Sequence, residues 1–151
     1  QRLDTLNERR EALTLARQTL AQANAALAER FSPRLVREAS EIFSELTGGR
    51  YARVQISRQM ELEAGQPDAA MRRSLFLSGG TADELYLSVR LAVCRLLLPE
   101  DAPLLLDDAL VMFDDDRLRL ALRLLQREAE NRQILLFTCQ HREQKALTTD
   151  L

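Results

Sequence analysis

Three short stretches carry residues whose types and spacing could do chemistry, and they occur in a set order. The first is Leu77-Ser78-Gly79-Gly80-Thr81, ahead of a long helical pattern. Paired glycines let a backbone approach a phosphate closely, and a helix N-terminus offers unpaired N–H groups with a partial positive charge. The serine hydroxyl adds a donor. The second stretch is Pro103-Leu104-Leu105-Leu106-Asp107-Asp108. An apolar strand ending in paired carboxylates delivers acids to the C-terminal edge of a sheet, where α/β folds bind ligands. Acids so placed can hold a divalent cation and polarise an attacking water. The third is Ile134-Leu135-Leu136-Phe137-Thr138, followed by Cys139, Gln140 and His141, the sole histidine. Each stretch alone has a plainer reading: a loop entering a helix, a buried strand, a surface histidine.

The elements that must position these residues read as an α/β unit behind a long helix. Residues 1–46 contain one proline, Pro33, and no glycine. Leu6, Leu13, Leu20 and Leu27 recur at heptad spacing, one seam of a coiled coil. The companion positions are poor: Arg10, Arg17 and Asn24 on one side, Arg9, Ala16 and Ala23 on the other. The segment is then either an amphipathic helix packed on its own domain or the root of an antiparallel coiled coil. The arginine- and alanine-rich seam favours the second. Ser32 reads as an N-cap and Pro33 as the first residue of a new helix, which divides the chain into 1–32 and 33–151. That second helix carries Leu35, Ile42, Phe43 and Leu46 on one face, and Gly48-Gly49 ends it.

Residues 51–57 alternate like a strand, 60–63 form its hairpin partner, Gly65-Gln66-Pro67-Asp68 is a turn, and 73–77 is a further short strand. A helix is expected over 81–98, stopped by Pro99. Thr81 or Gly80 would cap it, with Asp83 and Glu84 in its first turn. Strand 104–107, helix 115–130 and strand 134–138 then make a parallel unit, and 140–147 reads as a last short helix.

Composition excludes several classes. With 46% hydrophobic and 29% charged residues, the chain is a folding one, not a disordered one. No apolar run approaches the roughly 18–20 residues of a membrane span, and no basic-then-apolar leader is present, so no membrane partner and a cytoplasmic home are expected. Cys94 and Cys139 are too few for a disulfide framework, and no zinc spacing occurs. A net charge of −2 argues against wholesale nucleic-acid binding by this segment.

Taken jointly, the motifs resemble the C-terminal half of an ATP-binding-cassette ATPase head, a P-loop NTPase-like fold. The class is the coiled-coil one of the SMC, RecN, RecF and YhaN-like proteins. Leu77–Thr81 resembles the signature loop, 103–108 the Walker B strand and 109–114 the D-loop, with Asp114 as its aspartate. The stretches LSGGTADELYLSVRLA and LLLDDALVMFDDDRL are most similar to YhaN-like and SMC-like heads. The resemblance spans residues 39–143, and the preceding helix fits the coiled-coil root of such heads. It implies ATP as substrate, and Mg²⁺ held through water by Asp107. It also implies Asp108 as catalytic base and a switch histidine near the γ-phosphate. Leu77, Ser78, Gly79, Gly80 and Thr81 would meet the nucleotide of a second, identical head. The implied partners are the N-terminal half of the same head, that second head and DNA.

Three departures qualify the resemblance. No GxxxxGK[ST] occurs, and the only lysine, Lys145, follows the last strand. The Walker A loop is therefore expected in a preceding half, and the isolated chain is expected to be inactive. Asp108 stands where glutamate is usual, one methylene shorter. His141 lies further past the strand than the family's histidine, which leaves Cys139 and Gln140 as alternatives for the switch position. A non-hydrolysing dimerisation module of a coiled-coil protein is the competing reading.

Overall fold

The computed structural model describes residues 2–57 and 61–149, with side chains described over 5–23, 32–57 and 61–148. Its elements, in chain order, are α1 (Arg2–Leu46), β1 (Arg53–Ile56), β2 (Leu62–Gly65), β3 (Arg72–Arg73), a 3₁₀ turn (Ser74–Phe76), α2 (Gly79–Leu97), β4 (Leu104–Asp107), α3 (Asp115–Glu128), β5 (Ile134–Phe137) and α4 (His141–Thr149).

The chain divides into two compact units, Gln1–Arg34 and Leu35–Leu151. In the first, the heptad leucines Leu6, Leu13 and Leu20 are all well exposed, as is Leu15. The side chain of Leu27 lies outside the described residues. The expected break at Ser32-Pro33 is corrected: α1 is one helix with Pro33 inside it. Proline forfeits one backbone hydrogen bond and crowds the carbonyl four residues back, but its fixed φ is itself helical. A Ser-Pro pair therefore looks like a helix start even where a helix runs through it.

In the second unit, Leu35, Ala39, Ile42, Phe43 and Leu46 of α1 are buried at helical spacing, together with Leu85 and Leu91 of α2 and Leu118 and Leu124 of α3. Arg95 of α2 links the three helices at the edge of this core. Its Nε donates to Glu128 at 3.0 Å and its Nη1 to Glu38 at 3.4 Å. Gly48 and Gly49 close α1 with φ of 61° and 80°, the left-handed region glycine enters without strain, and Gly49 N–H donates to Ser44 O at 2.7 Å.

β1, β2 and β3 form an antiparallel sheet in that order, with Ile56 opposite Leu62. The expected hairpin partner begins two residues earlier, at Met60, which lies outside the described residues. The expected strand over 73–77 is instead the two-residue β3 followed by the 3₁₀ turn.

β4 and β5 pair in parallel, Leu104 with Ile134, Leu105 with Leu135, Leu106 with Leu136 and Asp107 with Phe137. Side chains alternate between faces along a strand, so Leu105, Leu135, Asp107 and Phe137 share one. Leu104 and Leu106, on the opposite face, are buried, while Leu105 is 60% and Phe137 53% exposed. Parallel sheets are ordinarily covered on both sides. Here one side is covered and the other is bare.

Candidate functional site

α2 starts at Gly79, two residues earlier than expected, and Ser78 occupies the N-cap with extended backbone. Its hydroxyl does not cap the helix; it lies 2.9 Å from the Thr81 hydroxyl. The earlier start corrects the capping by Thr81 or Gly80, and it moves Asp83 and Glu84 out of the first turn. Two glycines suit N1 and N2 less well than other residues do on propensity alone, which is why the sequence pattern pointed further along. Ser78 and Gly79 are exposed, while Gly80 and Thr81 are buried.

The two glycines are not equivalent. A Cβ on Gly79 would meet only Met112 Cε, at 3.4 Å. On Gly80 it would lie 2.5 Å from Arg117 Nη1 and 3.0 Å from the Met112 carbonyl oxygen. Gly80 is thus demanded by the close approach of the loop after β4.

At the end of β4, Asp107 points to the bare face and is exposed. Asp108 turns into the left-handed region, φ 47°, which aspartate tolerates better than most residues. Its N–H donates to Phe137 O at 2.9 Å, extending the ladder by one rung. Its Oδ1 accepts from the Cys139 N–H at 3.1 Å. The second acid is therefore joined to the chain just past β5. A cavity of about 210 Å³ lies beside it, lined by Asp83, Tyr86, Leu87, Arg90, Asp108 and Ala109.

Past β5, Thr138 Oγ1 donates to the buried Glu143 at 2.9 Å and accepts from the Gln140 N–H at 3.0 Å. Arg142 Nη2 donates to Leu110 O and Val111 O at 3.3 and 3.1 Å, holding α4 against the loop after β4. His141 is the exposed first residue of α4. No hydrogen bond or ion pair among the described residues joins it to Asp107 or Asp108. Backbone contact brings Cys139, not His141, to the acids.

Asp114 caps α3, its Oδ1 accepting from the Arg117 N–H at 3.0 Å. Arg117 reaches three ways from there. Nη1 lies 3.2 Å from Asp114 Oδ2, Nη2 donates to Thr81 Oγ1 at 3.1 Å, and Nε lies 3.3 Å from Glu84 Oε1. Glu84 is 1% exposed. Burial raises its carboxyl pKa to about 7, against the pull of Arg117; Asp114 raises it further and Arg50 lowers it. Its Oε1 makes no hydrogen bond among the described residues, and a cavity of about 220 Å³ opens beside it between Arg50, Tyr51, Thr81, Asp114, Asp116 and Arg117. Sequence reasoning missed both Glu84 and Arg117. A signal was available for the first: Thr81, Glu84, Leu85 and Ser88 all fall on the buried face of α2, and a charge there calls for a partner.

Comparisons with known proteins bear on the fold and the family. No family model matches the chain. It is 36% identical over 110 residues to the uncharacterized protein YhaN of Bacillus subtilis (strain 168), a match covering 71% of this chain and 11% of that protein. The chain thus spans a small part of that relative's length. Among solved structures it is similar to a protein from work on ATP-driven dimerisation and DNA-stimulated activation of SMC ATPases. The TM-score is 0.67 at 19% identity, over 81% of this chain and 76% of that one. An Smc head domain with coiled coil and joint from Pyrococcus yayanosii superposes with TM-score 0.65 at 16% identity, over 95% of this chain and 29% of that one. Fold and sequence together place this chain in the SMC- and YhaN-like class of head regions.

Proposed function

We propose that this chain is the C-terminal half of a head that binds and hydrolyses ATP when two identical heads meet, in a protein that works on DNA in repair, recombination or chromosome maintenance. The observation that carries the reading is the meeting of the motifs at one end of the β4–β5 pair. Gly80 packs on the Met112 carbonyl, Arg117 spans Thr81 and Asp114, and Asp108 is bonded to the Cys139 N–H. A preceding half of the protein supplies the lysine-bearing phosphate loop and covers the bare face of Leu105, Leu135 and Phe137.

Asp107, an exposed carboxylate at a strand end, is the kind of donor Mg²⁺ takes, since this cation keeps several waters and shares itself between one or two carboxylates and phosphate oxygens. The ion offsets triphosphate charge when bound. Asp108 takes the proton of the attacking water; Cys139 occupies its Oδ1 and leaves Oδ2 for that task. His141 serves as the switch residue, with Gln140 and Cys139 the alternatives at that position. Leu77, Ser78, Gly79, Gly80 and Thr81 face the γ-phosphate held by the other head. The exposed leucines of residues 1–32 line the seam of a coiled coil that connects the head to the rest of the protein. No helix among the described residues is long and apolar enough to cross a membrane, and the cytoplasm is the expected site of action.

The test is hydrolysis and light scattering on the full-length head with and without Asp108→Asn. Turnover in the parent and an ATP-bound dimer in the variant support the reading. A parent that dimerises with ATP but never turns it over would replace it with a non-hydrolysing dimerisation module, and a parent indifferent to ATP would overturn both.

A further inference from the structure

Glu84 and Arg117 belong to none of the motifs, yet Arg117 joins the signature turn to the D-loop. The Arg117 guanidinium commits each nitrogen to a different residue: Nε to Glu84 on the inner face of α2, Nη2 to Thr81 in the first turn of α2, and Nη1 to Asp114 at the cap of α3. A planar, permanently charged fork can hold three such partners at once; an ammonium is a point charge on a flexible stem and cannot hold the same set. The fit is close on the other side as well, because Gly80 leaves no room for a Cβ between Arg117 Nη1 and the Met112 carbonyl.

We infer that Arg117 is a positioning residue that locks the signature turn to the D-loop, so that Ser78, Gly79 and Asp114 meet the second head as one rigid surface. This role rests on the two-head reading above. Ser78, Gly79 and Asp114 are exposed, whereas Thr81, Gly80 and Glu84, which Arg117 touches from behind, are buried. The lock thus lies beneath the exposed residues. Pre-setting their spacing removes an ordering cost from head association, which is how rigidity strengthens binding without adding a contact. Arg117 therefore acts on the encounter of two heads, not on the nucleotide a lone head holds.

The test uses the full-length head with Arg117→Lys, which keeps the charge, and Arg117→Met, which removes the charge and keeps the length of the stem. Nucleotide affinity of the monomer is read with a fluorescent ATP analogue, dimerisation by light scattering with ATP, and turnover as a function of head concentration. Each variant is expected to match the parent in monomer affinity and to dimerise about tenfold more weakly, the scale of a lost charge-assisted hydrogen bond. Raising head concentration is expected to restore turnover at saturating ATP, which a general loss of structure or of chemistry would not allow. Hydrogen exchange in the monomer adds a readout independent of assembly: residues 78–82 and 109–114 are expected to exchange faster together in Arg117→Lys. A parent that dimerises beside an Arg117→Lys head that dimerises equally well overturns the role of Arg117 alone. An Asp108→Asn head that stays monomeric with ATP overturns the two-head reading and this role with it.

Discussion

The backbone N–H of Cys139 donates to Asp108 Oδ1 across 3.1 Å, and the Asp108 N–H in turn donates to Phe137 O at 2.9 Å. These reciprocal bonds close the end of the parallel pair and hold Asp108 at φ 47°. Asparagine can reproduce both the acceptor and the left-handed backbone, since its short polar side chain tolerates that region. Asp108→Asn is expected to unfold at the parental temperature while turnover falls about 10²-fold or more, the usual scale for a missing general base. Asp108→Ala is expected to lose turnover and also about 1–2 kcal/mol of stability, from strain and the orphaned N–H. Steady-state hydrolysis and thermal unfolding of the full head check both.

The glycines of the signature turn are expected to part company. Gly79→Ala should change stability by no more than about 0.5 kcal/mol, as an exposed substitution whose Cβ makes only an ordinary contact, 3.4 Å from Met112 Cε. Gly80→Ala should cost about 1–3 kcal/mol, the range for overpacking, because its Cβ has a backbone oxygen at 3.0 Å and Arg117 at 2.5 Å. Urea unfolding of the two variants makes the comparison; equal midpoints would contradict the packing described.

Glu84 gives the head a pH dependence of definite sign. Its pKa stands at about 7 when folded, against an ordinary value of 4.5. Between those values the folded state holds a proton the unfolded chain has lost, so stability falls as pH rises through that window. The loss is absent below 4.5, complete above 7, and on the order of 3 kcal/mol. Glu84→Gln removes the slope, so its stability relative to the parent is expected to be greater at pH 8 than at pH 5. Unfolding free energies at the two pH values decide it; a parallel shift at both would mean that Glu84 keeps its ordinary pKa.

The parts of this architecture written in local pattern were legible in the residues. Leu104–Asp107 and Ile134–Phe137 are short apolar runs bounded by Pro103, paired aspartates and polar turns, and both are strands where expected. Gly48-Gly49 ends α1 as a glycine pair should. Tertiary contacts decided the rest. Pro33 is compatible with a helix that neighbouring turns sustain, so the break expected there is missing. The start of α2 shifted to Gly79 because its first turn is held by Arg117 and Met112, residues more than thirty positions away that no window around 79 contains. Arg117 is one of several arginines in α3, and only the fold shows which one turns inward.

The seam of residues 1–32 makes a separate prediction. Leu6, Leu13 and Leu20 are exposed, so replacing all three by glutamine is expected to leave the stability of the head nearly unchanged. The same change should weaken association with a partner helix from the rest of the protein, read by crosslinking through cysteines introduced along that helix. Unchanged crosslinking would point to a lone helix.

The most direct measurement of the central claim is the mass of the full-length head by light scattering, with and without ATP, for the parent, Asp108→Asn, and Asp108→Asn combined with Ser78→Arg. Ser78 is exposed at the N-cap of α2, so on the proposed two-head reading an arginine there would fill the space a second head's γ-phosphate needs without disturbing the core. The account predicts an ATP-dependent dimer for Asp108→Asn, and a monomer that still binds nucleotide when Ser78→Arg is added. Loss of nucleotide binding by that monomer would contradict it, because the signature turn would then act on the nucleotide of its own head.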